Sequence, residues 1–208
     1  MKAAPKRKLT PQEYLAVERA AEFKSEFYEG EMYPLGGGPE ATAGGSRRHS
    51  RISTNLIYTL QKHLEGRPCQ VINSDLRVHV AAHGLYTYPD LSALCGEPEF
   101  DGPDEDTLLN PQVIIEVLSP STEAYDRGEK FRRYEALASL SEYVIVAQDR
   151  PSILRYTREV DGSWRLVFIH GLEATLALVS LQAELPLAEI YAKVDFTPAA
   201  ESATTPPA

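Results

Sequence analysis

The chain has 208 residues, 43% of them hydrophobic and 25% charged, the size and balance of one folded domain with room for a core. No apolar run reaches the roughly 18 residues of a membrane span, and the basic N-terminus MKAAPKRKL lacks an apolar stretch behind it; this predicts a cytoplasmic protein with no membrane contact. A net charge of −9 works against nonspecific polyanion binding, which depends on neutralised phosphates.

Two basic clusters run against that total: Arg47, Arg48, His49 and Arg51, then Arg127, Lys130, Arg132 and Arg133. The local field at a cleft counts for more than the sum. Two cysteines, Cys69 and Cys95, fit reduced, buried thiols better than a disulfide framework, and two cannot close a structural zinc site.

In chain order, residues 1–9 read as a disordered basic tail and 197–208 as a disordered Pro/Ala/Thr-rich tail, leaving 10–196 as a single domain. Thr10, Pro11 and Glu13 form a capping-box start for a helix ending near Ala21. Phe27-Tyr28 and Met32-Tyr33 around Glu29-Gly30 read as a hairpin with Glu26 at its base. The glycine-rich loop from Leu35 to Gly45 matches no phosphate-cradling pattern.

Ile52, Leu56, Ile57, Leu60 and Leu64 recur at helical spacing, placing His49 on or near the inward face at that helix's start. Strands follow at Cys69–Ile72, at Leu76–Val80 with Arg77 and His79 on the other face, and at Tyr88–Leu94, which holds Asp90. Glu97–Asn110 is an acidic loop. Tyr143–Ala147 is a buried-type strand, Ile153–Thr157 and Trp164–Ile169 a hairpin turning at Asp161-Gly162, and Leu187–Val194 a short closing helix. The order predicts a mixed α/β domain with a central mixed β-sheet flanked by helices.

The most informative stretch is Pro111–Tyr134. Glu116 lies within Val113, Ile114, Ile115, Val117 and Leu118, a run expected of a strand covered on both faces. A carboxylate there must be paired, protonated or bound to a cation. Ser119–Thr122 supplies turn and cap residues, and Asp126–Ala138 reads as a cationic helix with Lys130 and Tyr134 on one face.

Phosphodiester hydrolysis with a hard divalent cation needs carboxylates on adjacent strands and a lysine to orient water. Asp90, Glu116 and Lys130 supply these parts, with Glu26 and His49 as supporting candidates that position water or hold the acids, and the Val117 carbonyl as a further metal ligand. Each has a plainer reading: a turn aspartate, a buried ion pair, a solvated helix lysine, a surface glutamate and a packed histidine. No HExxH, paired CxxC or GxSxG pattern offers another chemistry.

Tyr88-Pro89-Asp90, then Glu116-Val117-Leu118-Ser119-Pro120-Ser121-Thr122, then Asp126-Arg127 with Lys130 and Tyr134, resemble the signature of the Uma-type bacterial endonuclease family of the PD-(D/E)xK superfamily. The resemblance implies a restriction-endonuclease-like core, Mg²⁺ (or Mn²⁺ in its place) held by Asp90 and Glu116, and DNA as the substrate. Where the superfamily motif has lysine two residues after the glutamate, this chain has Leu118, and Lys130 is expected to supply the cation from the next helix. That departure keeps open the alternative of a catalytically inactive nuclease-fold module that binds DNA or protein. Cutting both strands of a duplex implies a homodimer.

Overall fold

The structure, a computed structural model, describes residues 7–35, 46–118 and 126–197; the glycine-rich loop at 36–45, the Ser119–Thr122 cap segment, and residues 1–6 and 198–208 of the two tails lie outside the described residues. Helix α1 (Pro11–Ala20) starts at the expected capping box: the Thr10 hydroxyl accepts from the Glu13 N–H, and the Glu13 carboxylate accepts from the Thr10 N–H. Tyr14 of α1 stacks on Phe27 with ring centroids 4.8 Å apart. That contact fastens α1 to the hairpin of β1 (Ser25–Tyr28) and β2 (Glu31–Pro34). Glu29 and Gly30 have φ of 50° and 86°, the left-handed pair that a two-residue hairpin turn requires. Leu9, within the predicted tail, donates its N–H to the Gly30 carbonyl.

Helix α2 (Arg47–Leu64) and strand β3 (Cys69–Asn73) follow as predicted. Strand β4 (Arg77–Val80) belongs to a different sheet from β3. Of the strand expected over Tyr88–Leu94, only the part from Leu91 onward forms; the strand before it ends at Thr87, in another sheet. β5 (Leu85–Thr87) pairs with β1 and β4, in a five-stranded sheet ordered β2-β1-β5-β4-β7; β7 (Thr107–Leu108) comes from within the acidic loop. Beyond Pro89 the chain crosses to β6 (Leu91–Cys95) in a second sheet. Proline cannot donate to a ladder, so pairing ends there and the chain is free to change sheets.

The second sheet has six strands, ordered β11-β10-β9-β8-β6-β3, with β8 (Val113–Val117), β9 (Glu142–Val146), β10 (Ser152–Arg158) and β11 (Trp164–His170). It is mixed, since β8 runs parallel to β9 and antiparallel to β6. Residues 172–185, which carry no clear pattern, form a small hairpin of β12 (Thr175–Leu178) and β13 (Ala183–Pro186), followed by α4 (Leu187–Ile190).

Every residue of β8 is buried, and its side chains alternate between two cores. Val113, Ile115 and Val117 pack with Ile52, Leu56 and Leu60 of α2 and with the β12–β13 hairpin. Ile114 and the following Leu118 pack with Val78, Leu85, Tyr134 and Tyr143 on the opposite face. Glu116 shares the second face, so its carboxylate enters the space between the two large sheets.

Two expectations need correction. The predicted Asp126–Ala138 helix is a π-helical turn over Asp126–Lys130 followed by a single α-turn, α3 (Phe131–Tyr134). It is held by packing and not by length: Phe131 stacks on Tyr156 at 4.2 Å, and the Arg133 guanidinium lies 3.8 Å from the Tyr28 ring centroid. Cys69 and Cys95 are bonded to each other. They stand directly opposite in the β3–β6 register, with Cα atoms 3.9 Å apart, a proximity that a separation of 26 residues conceals. Among the described residues no helix is long and apolar enough to cross a membrane.

Candidate active site

Register brings the two acids together. β6 and β8 pair with Leu91 opposite Ile115, so Asp90, one residue before β6, lies beside Glu116 and Val117. One Asp90 oxygen, Oδ2, accepts from the Val117 N–H at 2.7 Å and lies 3.2 Å from His49 Nε2. The Asp90 N–H is 3.5 Å from Glu116 Oε2. His49 reaches this point from the first turn of α2, on the inward side, as the helical spacing predicts.

The other Glu116 oxygen faces the π turn and α3. Lys130 Nζ is 2.8 Å from Glu116 Oε1, and the Tyr134 hydroxyl donates to the same oxygen at 3.1 Å. Lys130 and Tyr134 thus point the same way although the segment between them is not the regular helix expected. Glu26 of β1 stands 4.0 Å from Lys130 Nζ and accepts from the Thr87 hydroxyl. Glu116, Lys130 and Glu26 are 3%, 6% and 6% exposed, whereas Asp90 and His49 are half-buried. The cluster therefore opens to solvent on the Asp90–His49 side. Leu118 is buried in the second core, pointing with Glu116 but occupied in packing.

Burial holds the Tyr134 hydroxyl far above its ordinary range, and the nearby Glu116 and Glu26 carboxylates reinforce the shift. Tyr134 is therefore a permanent donor, fixing one lone pair of Glu116. Of the remaining cationic residues, Arg133 lies over Tyr28 and Arg132 is exposed.

Three participants escaped the sequence reading. Thr87 sits in a short strand with no distinguishing pattern. Gln148 and Ser46 form a bridge: the Gln148 amide donates to the Leu118 carbonyl, the Ser46 hydroxyl donates to Gln148, and Ser46 Oγ accepts the His49 N–H at 3.1 Å. This bridge joins the end of β8 to the N-cap of the His49 helix. The available signal for Gln148 was the one that marked Glu116, a polar residue at the end of a buried run.

The donor set suits a hard cation. Among the described residues no group of three or more His, Cys, Asp and Glu side chains is arranged to hold an ion. Mg²⁺, however, is characteristically held by one or two carboxylates, with water and substrate completing its shell. Asp90 and Glu116 offer two carboxylates from neighbouring strands, the number such an ion characteristically takes from protein.

The chain is similar over most of its length to known proteins. “Uncharacterized protein slr1290” from Synechocystis sp. is 37% identical over 194 residues, covering 93% of this chain and 97% of its own length. “Uncharacterized protein sll1609” from the same organism is 33% identical over 168 residues, covering 81% and 91%. A crystal structure from Anabaena variabilis, described as “a putative nuclease belonging to DUF820”, superposes with a TM-score of 0.68 at 16% identity, covering 88% of this chain and 97% of that one; the likeness is one of fold. A family model described as “Uma2: Putative restriction endonuclease” matches residues 11–188, and the chain belongs to that family.

Proposed function

We propose that the protein is a Mg²⁺-dependent DNA endonuclease, with Mn²⁺ able to replace Mg²⁺. The observation that carries this reading is the convergence of Asp90, Glu116 and Lys130, from three separate elements, at one end of β8. Asp90 and Glu116 would hold the cation, with the Val117 carbonyl as a further ligand. When bound, such an ion would supply charge neutralisation to the phosphoryl group whose phosphorus is attacked.

The chain's own groups do the rest. Lys130, held by Glu116 and Glu26, presents N–H donors to the attacking water and to the oxyanion that develops. Tyr134 keeps Glu116 oriented through Oε1. The Val117 N–H fixes Asp90 through Oδ2, and His49 packs against the same oxygen from the solvent side. Family membership supports a nuclease, and a homodimer with two such sites would cut both strands; light scattering tests the assembly. The reading includes a cytoplasmic location.

The test is plasmid cleavage with Mg²⁺ or Mn²⁺ by the wild type and by Asp90→Ala. Loss of nicking in the variant is expected, and equal nicking by both proteins refutes the reading. A second reading, a nuclease-fold module without catalysis, draws on the ion pair itself: Glu116 Oε1 engaged by Lys130 and Tyr134 is also how a purely structural buried pair would look. Calorimetric titration with Mn²⁺ separates the two, since only the first predicts a site abolished by Asp90→Ala.

A further inference from the structure

The geometry points to a docking subsite for the phosphates of duplex DNA in the cleft between the start of α2 and residues 193–195. This inference rests on the choice of DNA as substrate made above. The cleft, about 180 Å³ in volume, is lined by Arg47, Arg48, Arg51, Lys193, Val194 and Asp195. Four cations against one carboxylate leave it strongly positive in a chain whose total charge is −9.

The residues divide into a frame and a contact surface. Arg48 spends its guanidinium on the Asp195 and Thr197 carbonyls, at 2.7 Å to the former. Asn55 donates to the Ile190 and Ala192 carbonyls at 2.9 Å each. These bonds pin residues 190–197 to α2. Asp195 accepts from the Thr197 N–H at 2.8 Å and is held ionised chiefly by that residue, with Arg48 and Arg47 adding to the effect. Arg47 and Arg51, one helical turn apart, and Lys193 remain exposed. Arginine forks match phosphate geometry, and the frame fixes the backbone from which the three side chains project.

Placement suits a strand that continues past the candidate active site. His49 lies between Arg47 and Arg51 in sequence but faces inward to Asp90, so the exposed arginines are about a helix diameter, ~10 Å, from the acids. The local positive field of Arg47, Arg48, Arg51 and Lys193 would draw a polyanion toward the start of α2.

The experiment is fluorescence polarisation of a short labelled duplex with the full chain in metal-free buffer, across a KCl series. The double variant Arg47→Ala/Arg51→Ala should weaken binding about tenfold at low salt and reduce the slope of log K against log [KCl] by about 2, near 0.9 for each lost phosphate contact. Arg165→Ala, on the edge strand β11, should change neither, and thermal melts should show all variants folded. An unchanged slope, an equal effect from Arg165→Ala, or no duplex binding by the wild type overturns the proposal. Asp90→Ala separates it from the catalytic reading, because that variant should lose cleavage while keeping affinity and slope. Cleavage surviving Asp90→Ala beside a reduced slope in the arginine variant would sink the catalytic role alone.

Discussion

Replacing Glu116 by glutamine keeps shape and removes one charge from a buried pair. At 2.8 Å and an effective dielectric of about 20, the Lys130–Glu116 attraction is about 6 kcal/mol; the Lys130–Glu26 attraction at 4.0 Å is about 4 kcal/mol. Orphaning a buried charge outright costs about 3–5 kcal/mol, but Glu26 would still serve Lys130. Glu116→Gln should therefore lose about 2–3 kcal/mol. In urea unfolding followed by circular dichroism, with a slope of about 2 kcal/mol per molar, the midpoint should fall by about 1 M or slightly more. Lys130→Met should cost more, because it removes the ammonium from both Glu116 and Glu26, and Mn²⁺ should restore part of that loss. A Glu116→Gln midpoint within about 0.25 M of wild type would refute the claim that a charged, coupled pair sits at the end of β8.

Gln148→Ala strands the Leu118 carbonyl and the Ser46 hydroxyl, which should cost about 1–3 kcal/mol and speed hydrogen exchange in the first turn of α2; unchanged exchange there would show that the bridge does not position His49. Asp106 binds Arg19 and Arg77, and its carboxyl is held below the usual range, first by Arg19. A depressed folded value means its contribution is complete above the unfolded value near 3.9 and is lost as pH falls toward the folded one, so Asp106→Asn should flatten the acid limb of stability against pH. The same variant should cost about 3 kcal/mol at neutral pH by leaving the buried Arg77 without its carboxylate. Reducing the Cys69–Cys95 bond, which closes a 26-residue separation, should lower stability by about 3.5 kcal/mol on the chain-entropy account. Equal urea midpoints with and without reductant would contradict it.

The local elements were legible because short-range chemistry specifies them. The Thr10 capping box, the Glu29-Gly30 turn, the α2 periodicity and the apolar run around Glu116 each depend on neighbours a few residues away. Glu116 itself was conspicuous for the same reason, an ionisable group where solvation is lost. The register of β8 with β6 was not legible, and it alone sets Asp90 beside Glu116.

The errors share that origin. Tyr88–Leu94 reads as one strand, yet Tyr88, Pro89 and Asp90 carry the chain from one sheet to the other, a choice made by which edges stand open in the assembled fold. The cysteines are 26 residues apart in sequence and became neighbours only through strand pairing. Asp126–Ala138 has helix-forming composition, but Phe131 packing on Tyr156 and Lys130 meeting Glu116 hold a π turn and one α-turn instead. The sequence by itself determined that a buried acid required a partner. Only the tertiary structure decided that the partner is Lys130, in a segment whose packing, and not its helical propensity, turns the ammonium toward β8.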